Sequence, residues 1–122
     1  MKKKDHEINC HGYTYKKMDV IKKERFIRMP TLATILRWFR IVKRSSEADV
    51  VSWVSPSWEK TASHDLFVAH TAVRDKRGRL WNRVGAGERV ERTSYRKLGA
   101  LYEPENYRKV LLARKGRRTR EK

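Results

Sequence analysis

Thirty-one Lys and Arg residues stand against fourteen Asp and Glu in a chain of 122, a formal net charge of +17. Such a surplus repels itself whenever the chain compacts, and it attracts phosphate polymers and other polyanions. It therefore confines the fold to one small core with much uncompensated charge at the surface. A chain of this length buries roughly two-thirds of the surface that its unfolded form exposes. With 39% hydrophobic and 37% charged residues, there is apolar material for one core and little for a second. Basic extensions are expected to carry the rest.

The single cysteine, Cys10, excludes an internal disulfide and a Cys-rich zinc cage. No uncharged run approaches the roughly 20 apolar residues that cross a bilayer, so no transmembrane segment is expected.

The first 28 residues read as a basic leader with little structure of its own. Within it, Val20, Ile21, Phe26 and Ile27 form a stripe wide enough only for a helical turn or two over Met18 to Met29. The pattern sharpens from Thr31 to Arg44. There Leu32, Ile35, Leu36, Trp38, Phe39 and Val42 fall on one side of a helix, and Arg37, Arg40 and Arg44 on the other. Thr31, after Pro30, is a suitable cap. Three uses fit such a helix: packing on the domain core, organelle targeting, or lying on a membrane surface. Targeting is suggested by the absence of acids from Arg25 through Ser46 and by Met29 as a possible start.

A polar break follows at Ser45, Ser46, Glu47 and Asp49, which places a domain boundary near residue 46. Val50, Val51, Trp53 and Val54 then predict a short strand that ends at Pro56. Leu66 to Val73 and Leu80 to Val84 flank Asp75-Lys76-Arg77-Gly78, the composition of a hairpin with a basic tip. Gly85-Ala86-Gly87 breaks the second strand; it lacks the residues of a nucleotide fingerprint or P-loop and reads as a turn. Glu88 to Arg96 fits either a further strand or an irregular basic segment. Glu103-Pro104-Glu105-Asn106 resembles the start of a terminal helix, with Tyr107, Val110, Leu111 and Arg114 on one side and Gly116 as its stop.

The expected fold class is thus α+β. It is a small single domain with a hairpin-based antiparallel sheet, an amphipathic helix before it, a C-terminal helix and basic extensions at both ends. Residues 1–46 are read as the N-terminal extension and possible targeting segment, 47–116 as the core and 117–122 as the tail.

Three basic constellations carry the functional expectation. They are Lys76, Arg77 and Arg79 at the hairpin tip; Arg83, Arg89, Arg92, Tyr95, Arg96 and Lys97 in the following segment; and Arg114, Lys115, Arg117, Arg118 and Arg120 at the C-terminal end. Arginine forks grip phosphate bidentately and stack on bases, which suits structured nucleic acid. Trp81, Tyr95, Tyr102 and Tyr107 are interleaved with these cations. Core packing is the expected use of Trp38, Trp53 and Trp81, which leaves Tyr95 and Tyr102 as stacking candidates.

His6, Cys10 and His11 lack a fourth zinc ligand, and the adjacent Ser63-His64-Asp65 cannot aim at one another as a triad must. No catalysis, cofactor or small-molecule substrate is expected. The expected partners are RNA, ribosomal RNA in particular, and neighbouring proteins of a large assembly, with a mitochondrial ribosomal protein as the leading reading. A basic accessory subunit of a membrane-associated respiratory complex and a nonspecific DNA-binding regulator meet the same charge requirement.

Overall fold

The computed structural model describes residues 9–23, 27, 30–55, 66–83 and 89–116. Pro56, Ser63-His64-Asp65, Gly85-Ala86-Gly87, His6 and the arginines beyond Gly116 lie outside them.

The fold is α+β. Six strands, β1 (Phe39–Val42), β2 (Val50–Val54), β3 (Val68–Arg74), β4 (Leu80–Arg83), β5 (Val90–Thr93) and β6 (Arg108–Arg114), form one antiparallel sheet in the order β1-β6-β2-β3-β4-β5. Helices α1 (Cys10–Lys17), α2 (Leu32–Ile35) and α3 (Tyr95–Tyr102) complete it. Each begins at a side-chain cap: Asn9 Oδ1 accepts from Gly12 N–H, Thr31 Oγ1 from Thr34 N–H and Ser94 Oγ from Lys97 N–H.

All five residues of β2 are buried because both faces of the sheet are covered. On one face Val50 and Val54 pack with Tyr13 and Tyr15 of α1, Ile35 of α2, Phe39, Val68 and Leu112. On the other, Val51 and Trp53 pack with Ala72, Leu80 and Leu98 of α3. The hairpin forms as expected, with Gly78 supplying the left-handed residue of its turn at φ +82°.

Four local expectations give way to tertiary structure. The helix expected from Thr31 to Arg44 is a single turn, after which Phe39–Val42 becomes β1 and pairs Phe39 with Arg114 and Ile41 with Leu112. The apolar residues still reach the core, Ile35 and Phe39 completely, but the β-branched pair Ile41 and Val42 gains more from a sheet edge than from a second helical turn.

The terminal helix expected after Asn106 is instead β6, and the helix of this half lies earlier, at α3. Asn106, at φ +69°, ends a 3₁₀ turn over Glu103–Glu105. The run Val110-Leu111-Leu112-Ala113 then fills the slot between β1 and β2, where a strand is covered on both faces.

The leader also holds structure that its composition did not suggest. In α1, Tyr13 and Tyr15 are core residues, and the chain breaks at Asp19, φ +62°; of the turn expected over Met18 to Met29, residues 18–23 are not helical and 24–26, 28 and 29 lie outside the described residues. Near the expected boundary at residue 46, a 3₁₀ turn over Ser45–Glu47 joins β1 to β2 within one sheet.

Candidate nucleic-acid interface

The antiparallel register brings distant basic segments to one end of the sheet. β2 starts there and β3 and β6 finish there, which Asp49 fixes by accepting Arg74 N–H on its carbonyl and Arg114 N–H on its carboxylate. The hairpin tip projects from this end. β5 finishes opposite Leu80, so the first turn of α3, with Tyr95, Arg96 and Lys97, emerges beside the tip.

One carboxylate shapes the tip. Asp75 Oδ1 accepts from the backbone N–H of Arg77 and Arg79, both at 2.9 Å, while Oδ2 accepts from Arg79 Nε at 3.0 Å and Trp81 Nε1 at 2.8 Å. The Trp81 bond, helped by the backbone donors and Arg79, holds the Asp75 carboxyl well below the usual carboxylate range. With Asp75 saturated, Lys76 and Arg77 project into solvent. Arg92 lies directly across from Trp81 on the same face of the sheet. Among the described residues, Lys76, Arg77, Arg92, Arg96, Lys97 and Lys115 form no ion pair with an acid.

Other expected contacts are placed differently. Arg83 is half-buried in β4 with contacts inside the protein, and Arg89 sits at the far end of β5, 3.9 Å from Glu91. Arg114 is structural: its guanidinium donates to the carbonyls of Met18 at 2.6 Å, Asp19 at 3.1 Å and Lys115 at 3.2 Å, which ties β6 to the end of α1. Replacing it by Ala is expected to lower stability by about 1–3 kcal/mol, because these bonds are charge-assisted, and to leave the salt slope of polyanion binding unchanged. Urea melts and a salt titration on the same variant check both halves.

The aromatic assignment shifts too. Tyr102 stacks on Trp53 at 6.0 Å and on His70 at 5.4 Å, and burial followed by its neighbours Cys10 and Tyr107 pushes its hydroxyl up to about 12. Tyr95 lies against the same cluster, with Lys109 Nζ 5.0 Å from its ring centre. Tyr102 is taken up by this cluster, whereas the half-buried Tyr95 also lines an open groove with Arg96, Gly99, Ala100, Glu103 and Pro104. No family model, curated protein or solved structure matches the chain.

A second open space is bordered by Tyr13 of α1, largely buried, and the half-buried Trp81 of β4. Each already carries a cation at its ring: Lys17 Nζ at 5.8 Å from Tyr13 and the Arg79 guanidinium at 6.0 Å from Trp81. Sequence reasoning assigned Lys17 to a shapeless leader, while Trp81, expected in the core, does pack against it and leaves one side to this space. The signal it passed over was Tyr13 and Lys17, four residues apart after the capping Asn9.

Proposed function

We propose that the protein is a structural RNA-binding component of a ribonucleoprotein assembly, a ribosomal protein of the mitochondrial kind, which neutralises RNA phosphates and positions neighbouring elements without performing chemistry. The observation that carries this reading is the convergence of Lys76, Arg77, Arg96, Lys97 and Lys115 at one end of the sheet with no acid paired to them among the described residues. A cluster of that kind lowers its own repulsion when phosphates arrive and release their counterions.

No helix among the described residues is long and apolar enough to cross a membrane. The lipid-facing helix that a respiratory accessory subunit would use is replaced by β1, which removes the element that favoured that alternative.

Salt dependence tests the proposal. If about six to ten phosphates are contacted, affinity for RNA should fall roughly 10³- to 10⁵-fold between about 50 and 200 mM salt. A flat response would exclude it. Replacing Arg77 or Lys97 by Ala should each lower the log–log salt slope by about one and weaken all RNA sequences alike, as fluorescence anisotropy at several salt concentrations would show.

A further inference from the structure

Between α1 and the β3–β4 hairpin lies a cavity of about 480 Å³, within the usual range for pockets that take a small organic ligand. Its walls are aromatic and aliphatic, from Tyr13, Val73, Trp81 and Val90, and its cations are Lys17 and Lys76. Asp75 also lines it, but its carboxylate already accepts four hydrogen bonds from the hairpin and so offers little to a ligand's donors. Arg74 lines it as well, while its guanidinium is held by the carbonyls of Ser46 and Ala48.

An occupant must therefore combine a flat apolar body with negative charge. We infer that this cavity receives one unpaired nucleotide of an RNA strand, its base against Tyr13 and Trp81 and its phosphates at Lys17 and Lys76. A strand is favoured over a free nucleotide because Arg77 and Arg92 lie exposed beside the cavity, where the flanking phosphates of a continuing chain would fall. The inference rests on the RNA-binding reading above and adds to it a preference for single strands, which phosphate neutralisation alone does not give.

The test uses the full chain with a single-stranded RNA decamer, the same sequence as a duplex, and uridine monophosphate. Trp81→Leu should weaken single-strand binding by roughly 5- to 150-fold, the loss of one stacked base, while duplex affinity and the salt slope stay as in the unmodified protein. Trp81→Phe, which keeps a ring in the wall, should recover most of the loss. Because Trp81→Leu also removes a bond to Asp75, a second measurement uses the unmodified chain. Photocrosslinking to a decamer carrying 4-thiouridine should place adducts on the peptides that contain Tyr13 or Trp81.

RNA binding with a steep salt slope, but with Trp81→Leu unchanged and crosslinks elsewhere, would overturn this inference and leave the general reading standing. Equal affinity for uridine monophosphate would overturn the choice of a strand. Failure to bind any RNA would remove both.

Discussion

A chain that begins at Ser45, as removal of a targeting segment would leave it, should not fold. It lacks α1, α2 and β1, and with them Tyr15, Ile35 and Phe39, each wholly buried against the sheet. Truncating a single buried aliphatic or aromatic side chain costs about 2–5 kcal/mol. Losing all three therefore consumes an amount on the order of a whole domain's stability of about 5–15 kcal/mol. The loss would also bare one face of β2, β3 and β6 and leave β6 as an open edge, a template for aggregation. Circular dichroism of the truncated chain should show no cooperative melt where the full chain melts sharply. A stable, monomeric 45–122 fragment would contradict the core assignment. By the same reasoning, a mitochondrial site of action requires that residues 10–42 remain in the mature protein, which the N-terminal peptide of the native molecule would reveal by mass spectrometry.

The elements legible in the sequence are those set by local chemistry. The hairpin follows from Asp75 and Gly78 at fixed places in a four-residue turn, β2 from a β-branched run before a proline, and the Thr31 cap from its hydroxyl ahead of an apolar stripe. The misread elements are those decided by partners far away in sequence. The Leu32 to Val42 pattern satisfies a helix by periodicity, yet β1 exists because residues 111–114 offer an unpaired edge more than sixty positions later. Likewise, Tyr107 to Arg114 has helical spacing, but the slot between β1 and β2 selects the extended form.

The candidate interface divides in the same way. Lys76, Arg77, Arg96 and Lys97 were visible as cations and remain exposed ones. That they meet at one end of the sheet, and that Arg114 is taken up by the carbonyls of Met18 and Asp19, depends on register that no local pattern encodes.

Acidification below a pH of about 6.5 should destabilise the protein steeply. His11, buried under α1 with Nδ1 at 3.0 Å from Thr71 Oγ1, has its pKa pushed down to about 3, by burial first and by neighbouring His70 second. His70, whose Nε2 is 2.7 Å from Asn82 Oδ1, is also lowered by burial, partly opposed by that bond. Asn82 Nδ2 donates to Glu91 O, so its Oδ1 is the acceptor and His70 Nε2 the donor. Above pH of about 6.5, the ordinary histidine value, both imidazoles are neutral in the folded and unfolded chains and stability is insensitive to them. Below it the unfolded chain binds protons that the folded chain refuses, so stability falls by about 1.4 kcal/mol per pH unit for His11, with His70 adding a loss of the same sign. For His11 the loss continues to a pH of about 3. Between about pH 6.5 and 4.5 His11 alone removes roughly 3 kcal/mol, a large share of a small domain's stability, and His70 acts in the same direction. Other buried groups do not offset this. Burial raises the pKa of Cys10 to about 11 and that of Tyr15 further still, so both stay neutral, and the stabilisation that Asp75 gains from its lowered pKa is lost only below the ordinary carboxylate value of 3.8. Urea midpoints from pH 7.5 to 4.5 should therefore drop steeply in the unmodified chain. They should drop far less with His11→Asn and His70→Gln combined, which imitate the Nδ1 and Nε2 positions without titrating. An equal drop in both proteins would show that the acid sensitivity lies elsewhere than in these two imidazoles.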